Sequence, residues 1–215
     1  MNVSDFILQR LGDWEIKRIF GYPGDGINGL LGALNRNQSI RFIQTRHEEM
    51  AAFMACAHAK FTGEVGVCLA TSGPGAIHLL NGLYDAKLDH QPVVAIIGQQ
   101  KGTSLGSSYQ QEIDLLSLFK DVAGAYVQMI GDPTQTRQVI DRAFRIAKAE
   151  RTVTAVIIPN DIQEEKAVEQ PPRMHGNVVT GAGHSHNHVI PSEIELNQAA
   201  EILNSGEKVA ILIGA

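Results

Sequence analysis

The stretch VGVCLATSGPGAIHLLNGLYDAK, from Val65 to Lys87, sets out the architecture in miniature. Val65–Ala70 is apolar without a break, as a strand must be when helices cover both faces of a parallel sheet. Thr71-Ser72-Gly73-Pro74-Gly75 then interrupts it, and Pro74 stands where a helix accepts proline, in its first turn. The helix that follows is expected to run to about Lys87, which makes the unit strand, glycine-rich turn, helix.

The same order repeats on either side. Upstream, Ser4 and Asp5 can cap a first helix through about Glu15, with Phe6, Ile7, Leu8 and Leu11 on its apolar side. A short strand, Arg18-Ile19-Phe20, then ends in the turn Gly21-Tyr22-Pro23-Gly24-Asp25-Gly26. A helix from about Ile27 to Asn35, a strand Ile40–Thr45 and an Ala-rich helix from near His47 fill the interval to Val65, and the small residues let that helix lie close to its neighbours. Downstream come a strand Val93–Ile97, a Gly- and Ser-rich loop Gln99–Gln111 and a helix near Leu115–Phe119. A strand around Tyr126–Met129, a helix from Asp132-Pro133 to about Ala149 and a strand Val153–Ile158 complete the series. This alternation specifies the α/β class, a doubly wound three-layer parallel sheet with helices on both faces.

From Asn160 to Pro191 the periodicity gives way to Pro, Gly, His and charge. The expected organisation is therefore a first domain over 1–165, a linker over 166–191 and, over 192–215, the beginning of a second α/β domain. That last piece reads as a capped helix, Ser192–Asn204, and a strand, Lys208–Ile213, whose pattern has barely begun at Gly214-Ala215, as expected of a truncated chain.

Eighteen basic and 23 acidic side chains give a net charge of −5 with no basic block, which argues against nucleic acid or an anionic membrane and favours small metabolites as partners. No run approaches the ~18 apolar residues of a membrane-spanning helix, and acids stand where a signal peptide would be basic, so a cytoplasmic location is expected. Cys56 and Cys68 lie in apolar contexts without CxxC spacing and read as buried thiols.

Ligands of parallel sheets collect at the carboxyl ends of the strands. Thr45-Arg46-His47-Glu48-Glu49 lies where a strand enters a helix, so a carboxylate there is well placed for a ligand; acids in a first helical turn also simply favour the helix dipole. Gly73-Pro74-Gly75 lets backbone approach a flat ligand, but neither a P-loop lysine nor a GxGxxG with its acid follows any strand. The run His184-Ser185-His186-Asn187-His188, with His175 nearby, has no carboxylate or cysteine partner and reads as linker; His47, His58, His78 and His90 are scattered. No metal site is expected in this chain.

Four blocks taken in order carry a resemblance: Phe20-Gly21-Tyr22-Pro23-Gly24, Thr45-Arg46-His47-Glu48-Glu49-Met50-Ala51-Ala52, Ala70-Thr71-Ser72-Gly73-Pro74-Gly75 and Asn81-Gly82-Leu83-Tyr84-Asp85-Ala86. Over about residues 3 to 165 the chain resembles the thiamine-diphosphate-dependent 2-oxo-acid enzymes, in their N-terminal pyrimidine-binding domain. His78–Ala86 and His90–Gln99 are most similar to the pyruvate oxidase branch rather than to the acetolactate synthases.

The resemblance implies that Glu48 is the catalytic glutamate, hydrogen-bonded to the cofactor's aminopyrimidine ring. A carboxyl sharing its proton with the ring nitrogen favours the tautomer that activates the thiazolium carbon. It further implies that Tyr22, Pro23, Gly24, Thr71, Gly73, Pro74 and Asn81 bind the cofactor, with Gln110 and Gln111 in the substrate pocket. Gln110 stands where the family usually has Phe, which leaves the pocket wall open. Magnesium, the diphosphate site and FAD are expected outside this chain, and Gly24-Asp25-Gly26 is not the family's magnesium motif, since no Asn-Asn follows it at the right distance. The expected parent decarboxylates pyruvate or a similar 2-oxo acid as a homo-dimer or tetramer and passes the electrons to a flavin. The rivals are an acetolactate synthase-like carboligase, a non-catalytic or half-site module that pairs with a separate diphosphate-binding chain, and a dinucleotide oxidoreductase, which would lack its glycine fingerprint.

Overall fold

The computed structural model describes residues 1–173, 175–177, 180–183 and 190–213. Two compact units divide the chain, Met1–His184 and Ser185–Ala215. The first contains six parallel strands: β1 Arg18–Gly21, β2 Arg41–Gln44, β3 Gly66–Ala70, β4 Val93–Gln99, β5 Val127–Met129 and β6 Val153–Pro159. Their order across the sheet is β2-β1-β3-β4-β6-β5. Helices α1 Val3–Asp13, α2 Asn28–Arg36, α6 Thr136–Glu150 and α7 Asn160–Glu164 cover one face; α3 Glu48–Thr62, α4 Pro74–Leu88 and α5 Leu115–Phe119 cover the other. This is the expected doubly wound three-layer architecture.

Alternation along the strands sorts the core into two halves. Ile19, Val67, Leu69, Val94, Ile96, Val156 and Ile158 face the α1–α2–α6 side, while Phe20, Cys68, Ala70, Ala95, Ile97, Ala155 and Ile157 face the α3–α4 side. Every residue of β3, β4 and β6 is buried. The second face is built from small residues, and it is correspondingly tight. A Cβ on Gly82 would fall 2.5 Å from the Phe53 amide nitrogen, and one on Gly66 would fall 2.1 Å from the Ala55 carbonyl oxygen. Glycine at these two positions is therefore what allows α3 to lie directly against α4 and against the sheet.

Several boundaries differ from expectation for identifiable reasons. The cap of α1 is Asn2, not Ser4 or Asp5: Asn2 Oδ1 accepts from the Asp5 amide at 2.9 Å and the Asp5 carboxylate accepts from the Asn2 amide at 3.2 Å, a reciprocal capping box. Ser4 is instead fully buried, its hydroxyl donating to the Gln163 carbonyl oxygen at 2.9 Å. Asp132 caps a short 3₁₀ turn, Pro133–Gln135, before α6 begins. The region from Asn160 opens with α7 and includes an antiparallel pair, β7 Pro172–Arg173 and β8 Gly176–Asn177. Further along, Arg137 and Arg145 of α6 donate to the carbonyl oxygens of Thr180 and Gly181, each at 2.9 Å at the closest.

The second unit has one helix among its described residues, α8 Glu193–Asn204, closed by a capping box between Ser192 and Glu195. The strand expected over Lys208–Ile213 does not form. A strand exists through its ladder, and among the described residues none pairs with this segment; Leu212 is 99% exposed.

Candidate functional site

After β1 the chain turns back toward β2, and after β3 it turns toward β4, so the two connections leave in opposite directions from adjacent strands. Ligands of parallel sheets gather at the carboxyl ends beside such a point. There the turn Tyr22–Gly26 and the turn Thr71–Gly75 lie against each other. Thr71, buried at 9% exposure, joins them: its Oγ1 accepts from the Gly26 amide at 2.9 Å. A Cβ on Gly24 would fall 2.6 Å from Thr71 Cβ, and one on Gly75 would fall 2.7 Å from Thr71 Cγ2. Glycines on both sides of Thr71 thus let the two turns meet backbone to side chain. Gln163, fully buried, donates to the Gly26 carbonyl oxygen at 2.7 Å and to that of Ile158 at 3.1 Å, tying the first turn to the end of β6.

Gly73 has φ +62°, ψ −122°, a conformation that glycine adopts without strain, and it opens α4 with Pro74 in the first turn. The loop that follows β4 packs over it, with the Gln111 carbonyl oxygen 2.8 Å from where a Gly73 Cβ would be. That loop is held by Glu112. The amides of Gly106 and Tyr109 donate to its carboxylate and keep the carboxyl below the usual glutamate range.

Glu48 is the first residue of α3, 8% exposed, at the carboxyl end of β2. Its Oε1 lies 3.1 Å from the position a Gly75 Cβ would take, against the first turn of α4. Its Oε2 is 3.0 Å from Nδ1 of His78 on α4. Among the described residues Oε2 has that one partner and Oε1 has no hydrogen bond. A carboxyl nearly out of water with an oxygen to spare is the donor and acceptor equipment that a polar ring nitrogen needs.

His47 closes the site on its exposed side. It caps α3, with Nδ1 accepting from the Glu49 amide at 3.3 Å, which puts its ring hydrogen on Nε2. Thr45 Oγ1 donates to the His47 carbonyl oxygen at 2.9 Å and so steadies the turn. The His47 and His78 rings lie with centroids 4.3 Å apart at an interplanar angle of 33°. Ligand-capable atoms of His47, Glu48 and His78 all fall within 4.8 Å of one another. Within this group His78 Nδ1 is bonded to Glu48 Oε2 and His47 Nδ1 to the Glu49 amide, so hydrogen bonds fix the orientation of all three side chains.

The structure brings Gly24, Thr71 and Glu48 into one connected set, with Gly75 between Thr71 and Glu48, while Gly73 packs against Gln111. Asn81 is exposed on α4 and donates to Glu49 Oε1, one residue beyond Glu48. Tyr22 is 39% exposed at the end of β1, next to the half-buried Pro23. Gln110 and Gln111 are exposed, and among the described residues no hydrogen bond joins either to Glu48. His184, His186 and His188 lie outside the described residues. Sequence reasoning missed His78, which it counted among scattered histidines. The available signal was its position one helical turn after Pro74, on the helix that opens from the glycine-rich turn.

Residues 1–118 match the family model described as thiamine pyrophosphate enzyme, N-terminal TPP binding domain. The YdaP protein of Bacillus subtilis (strain 168) is 39% identical over 206 residues, 95% of this chain and 34% of that one. Pyruvate oxidase of Lactiplantibacillus plantarum is 41% identical over 157 residues, 73% of this chain and 26% of the relative. Acetolactate synthase 2, chloroplastic, of Nicotiana tabacum is 32% identical over 215 residues, covering 98% of this chain and 31% of the relative. The chain thus spans about a quarter to a third of the length of these three relatives. With more than half of its residues under that family model, the chain belongs to the thiamine pyrophosphate enzymes and carries their N-terminal TPP binding domain.

Proposed function

We propose that the surface formed where the Tyr22–Gly26 and Thr71–Gly75 turns meet, beside Glu48, receives the aminopyrimidine ring of thiamine diphosphate, with Glu48 as the catalytic acid on the ring nitrogen. The observation that carries this reading is the Glu48 carboxyl, nearly buried at a strand's carboxyl end, with Oε2 held by His78 and Oε1 unengaged among the described residues. Tyr22, Pro23 and Gly24 of one turn, and Thr71, Gly73 and Pro74 of the other, offer backbone to a flat ring lying over them. Asn81, through Glu49, braces α3 against α4 beside it.

When bound, the cofactor supplies an acidic thiazolium carbon that adds to a 2-oxo carbonyl and an electron sink for loss of carbon dioxide. Glu48 holds a proton at one carboxyl oxygen against the ring and orients the ring through that bond. The glycine floor excludes side-chain bulk, and the low exposure of Glu48 keeps competing water from the shared proton. Gln110 and Gln111 belong to the loop over Gly73 and form part of the substrate pocket wall.

The parent enzyme decarboxylates pyruvate or a close 2-oxo acid in the cytoplasm, as a homo-dimer or tetramer, with magnesium, the diphosphate and FAD held outside residues 1–215. Residues 192–215 open its next domain. The similarity to a pyruvate oxidase over 73% of the chain supports oxidation as the step after decarboxylation; the 32% identity to an acetolactate synthase supports carboligation as the second reading. The test is hydrogen–deuterium exchange at C2 of thiamine diphosphate bound to the full-length protein. Glu48→Gln is expected to abolish exchange, and normal exchange in that variant overturns the assignment. Product analysis with pyruvate, acetyl-level product against acetolactate, separates the two outcomes.

A further inference from the structure

We propose that His78 is a positioning residue that selects which oxygen of Glu48 carries the shared proton; this rests on the reading of Glu48 as the contact to the pyrimidine. His78 Nδ1 lies 3.0 Å from Glu48 Oε2, while Oε1 faces the Gly75 side. In its Nδ1–H tautomer the imidazole donates to Oε2, and that bond stabilises charge on Oε2 and makes it the less basic of the two oxygens. Protonation of Glu48 is therefore directed to Oε1, the oxygen with no partner among the described residues. Without His78 the two oxygens become equivalent and the carboxyl can turn.

The imidazole is itself held for the task. The His47 ring lies against it at 4.3 Å, and His47 is fixed by the Glu49 amide and the Thr45 hydroxyl. Glu48 and His78 sit on different helices, and their separation depends on the α3–α4 contact that Gly82 permits against Ala52 and Phe53. His78 is 42% exposed through its side chain and the Glu48 side chain 10%, so the histidine forms the solvent-side half of the pair.

The experiment compares His78→Asn, which retains a donor at the place of Nδ1, with His78→Leu, which has none, in the full-length protein. Two readouts are taken: the dissociation constant for thiamine diphosphate by fluorescence titration, and C2 exchange at saturating cofactor. His78→Leu is expected to weaken binding and to slow exchange at least tenfold, and His78→Asn to keep both within about threefold of the parent. If His78→Leu does not fold, His78→Gln, whose donor lies one bond further out, replaces it with the same expected slowing. Exchange at the parental rate in His78→Leu overturns the proposal, as does His78→Asn failing as badly as His78→Leu. Loss of exchange in Glu48→Gln together with a normal His78→Leu overturns this inference alone, whereas normal exchange in Glu48→Gln overturns the functional reading beneath it.

Discussion

The hydroxyl of Thr71 accepts the Gly26 amide hydrogen at 2.9 Å, and through that bond the turn after β3 holds the turn after β1. Thr71 is buried, so the Gly26 N–H has no water to fall back on. Thr71→Val keeps the shape and removes the acceptor. It is expected to cost about 1–3 kcal/mol in urea denaturation, the penalty of an orphaned buried donor, while Thr71→Ser recovers most of it. Equal stability of the Val variant and the parent would show that the bond does not join the turns.

Gly75 stands between Thr71 and Glu48. An alanine Cβ there would meet Thr71 Cγ2 at 2.7 Å and Glu48 Oε1 at 3.1 Å, and the threonine, anchored by its bond to Gly26, has little room to move. The first turn of α4 must therefore shift to clear Thr71, and the carboxyl moves with it or turns away. Gly75→Ala is expected to weaken thiamine diphosphate binding about tenfold or more, about 1.4 kcal/mol, beyond an overpacking cost of about 1–3 kcal/mol in stability. Titration of the folded variant with cofactor checks this, and unchanged affinity would move the binding site away from Glu48.

Much of this arrangement was legible in the sequence because it is local. The uninterrupted apolar run before Thr71 reads as an inner strand of a parallel sheet, α5 falls at Leu115–Phe119 as read, and the strand-to-helix junction at Thr45–Glu49 is where it was expected, though the choice of Glu48 over Glu49 came from the family resemblance. What escaped depends on packing between distant residues. Ser4 looked like a cap, but its hydroxyl is taken by a carbonyl at Gln163, leaving the role to Asn2. His78 acquires its role from the approach of α4 to α3, which no spacing within either helix encodes. The apolar run Lys208–Ile213 has strand composition without a ladder partner among the described residues, and composition alone does not make a strand.

Asp141 on α6 is fully buried, and its Oδ1 accepts from Arg10 Nε at 3.0 Å, Arg10 Nη2 at 2.7 Å and Trp14 Nε1 at 2.9 Å, while its other oxygen accepts from the Thr180 hydroxyl. The network pins α1 to α6 on the sheet face opposite α3 and α4. Asp141→Ala leaves the largely buried Arg10 guanidinium with Asp13, whose carboxylate accepts from Nη1, and without the partner of Nε and Nη2; it is expected to cost about 3 kcal/mol. Replacing Arg10 with Met in the same chain is expected to recover part of that loss, since the half-paired charge is gone. Strict additivity of the two changes in denaturant melts would mean that the pair is not coupled.

Cys56 and Cys68 supply a pH-dependent test of the core beneath the site. Burial pushes both thiols up to about 12, with the Asp85 carboxylate, which accepts from Cys56 Sγ at 3.1 Å, adding to the rise at Cys56. In the unfolded chain a thiol ionises near pH 8.5. Between that value and about 12 the folded state keeps protons that the unfolded state has released, so stability falls as pH rises through this window and is fully present below it. Cys56→Ala/Cys68→Ala is expected to show a shallower decline between pH 9 and pH 11 than the parent in paired denaturation curves. At pH 8 the folded parent is also expected to resist alkylation by iodoacetamide, with both thiols reacting once denaturant is added, because the thiolate is the reactive species and burial withholds it. Rapid labelling of the folded chain would mean that the α3–α4 layer opens readily, and a layer that opened could not hold the Glu48–His78 pair in place.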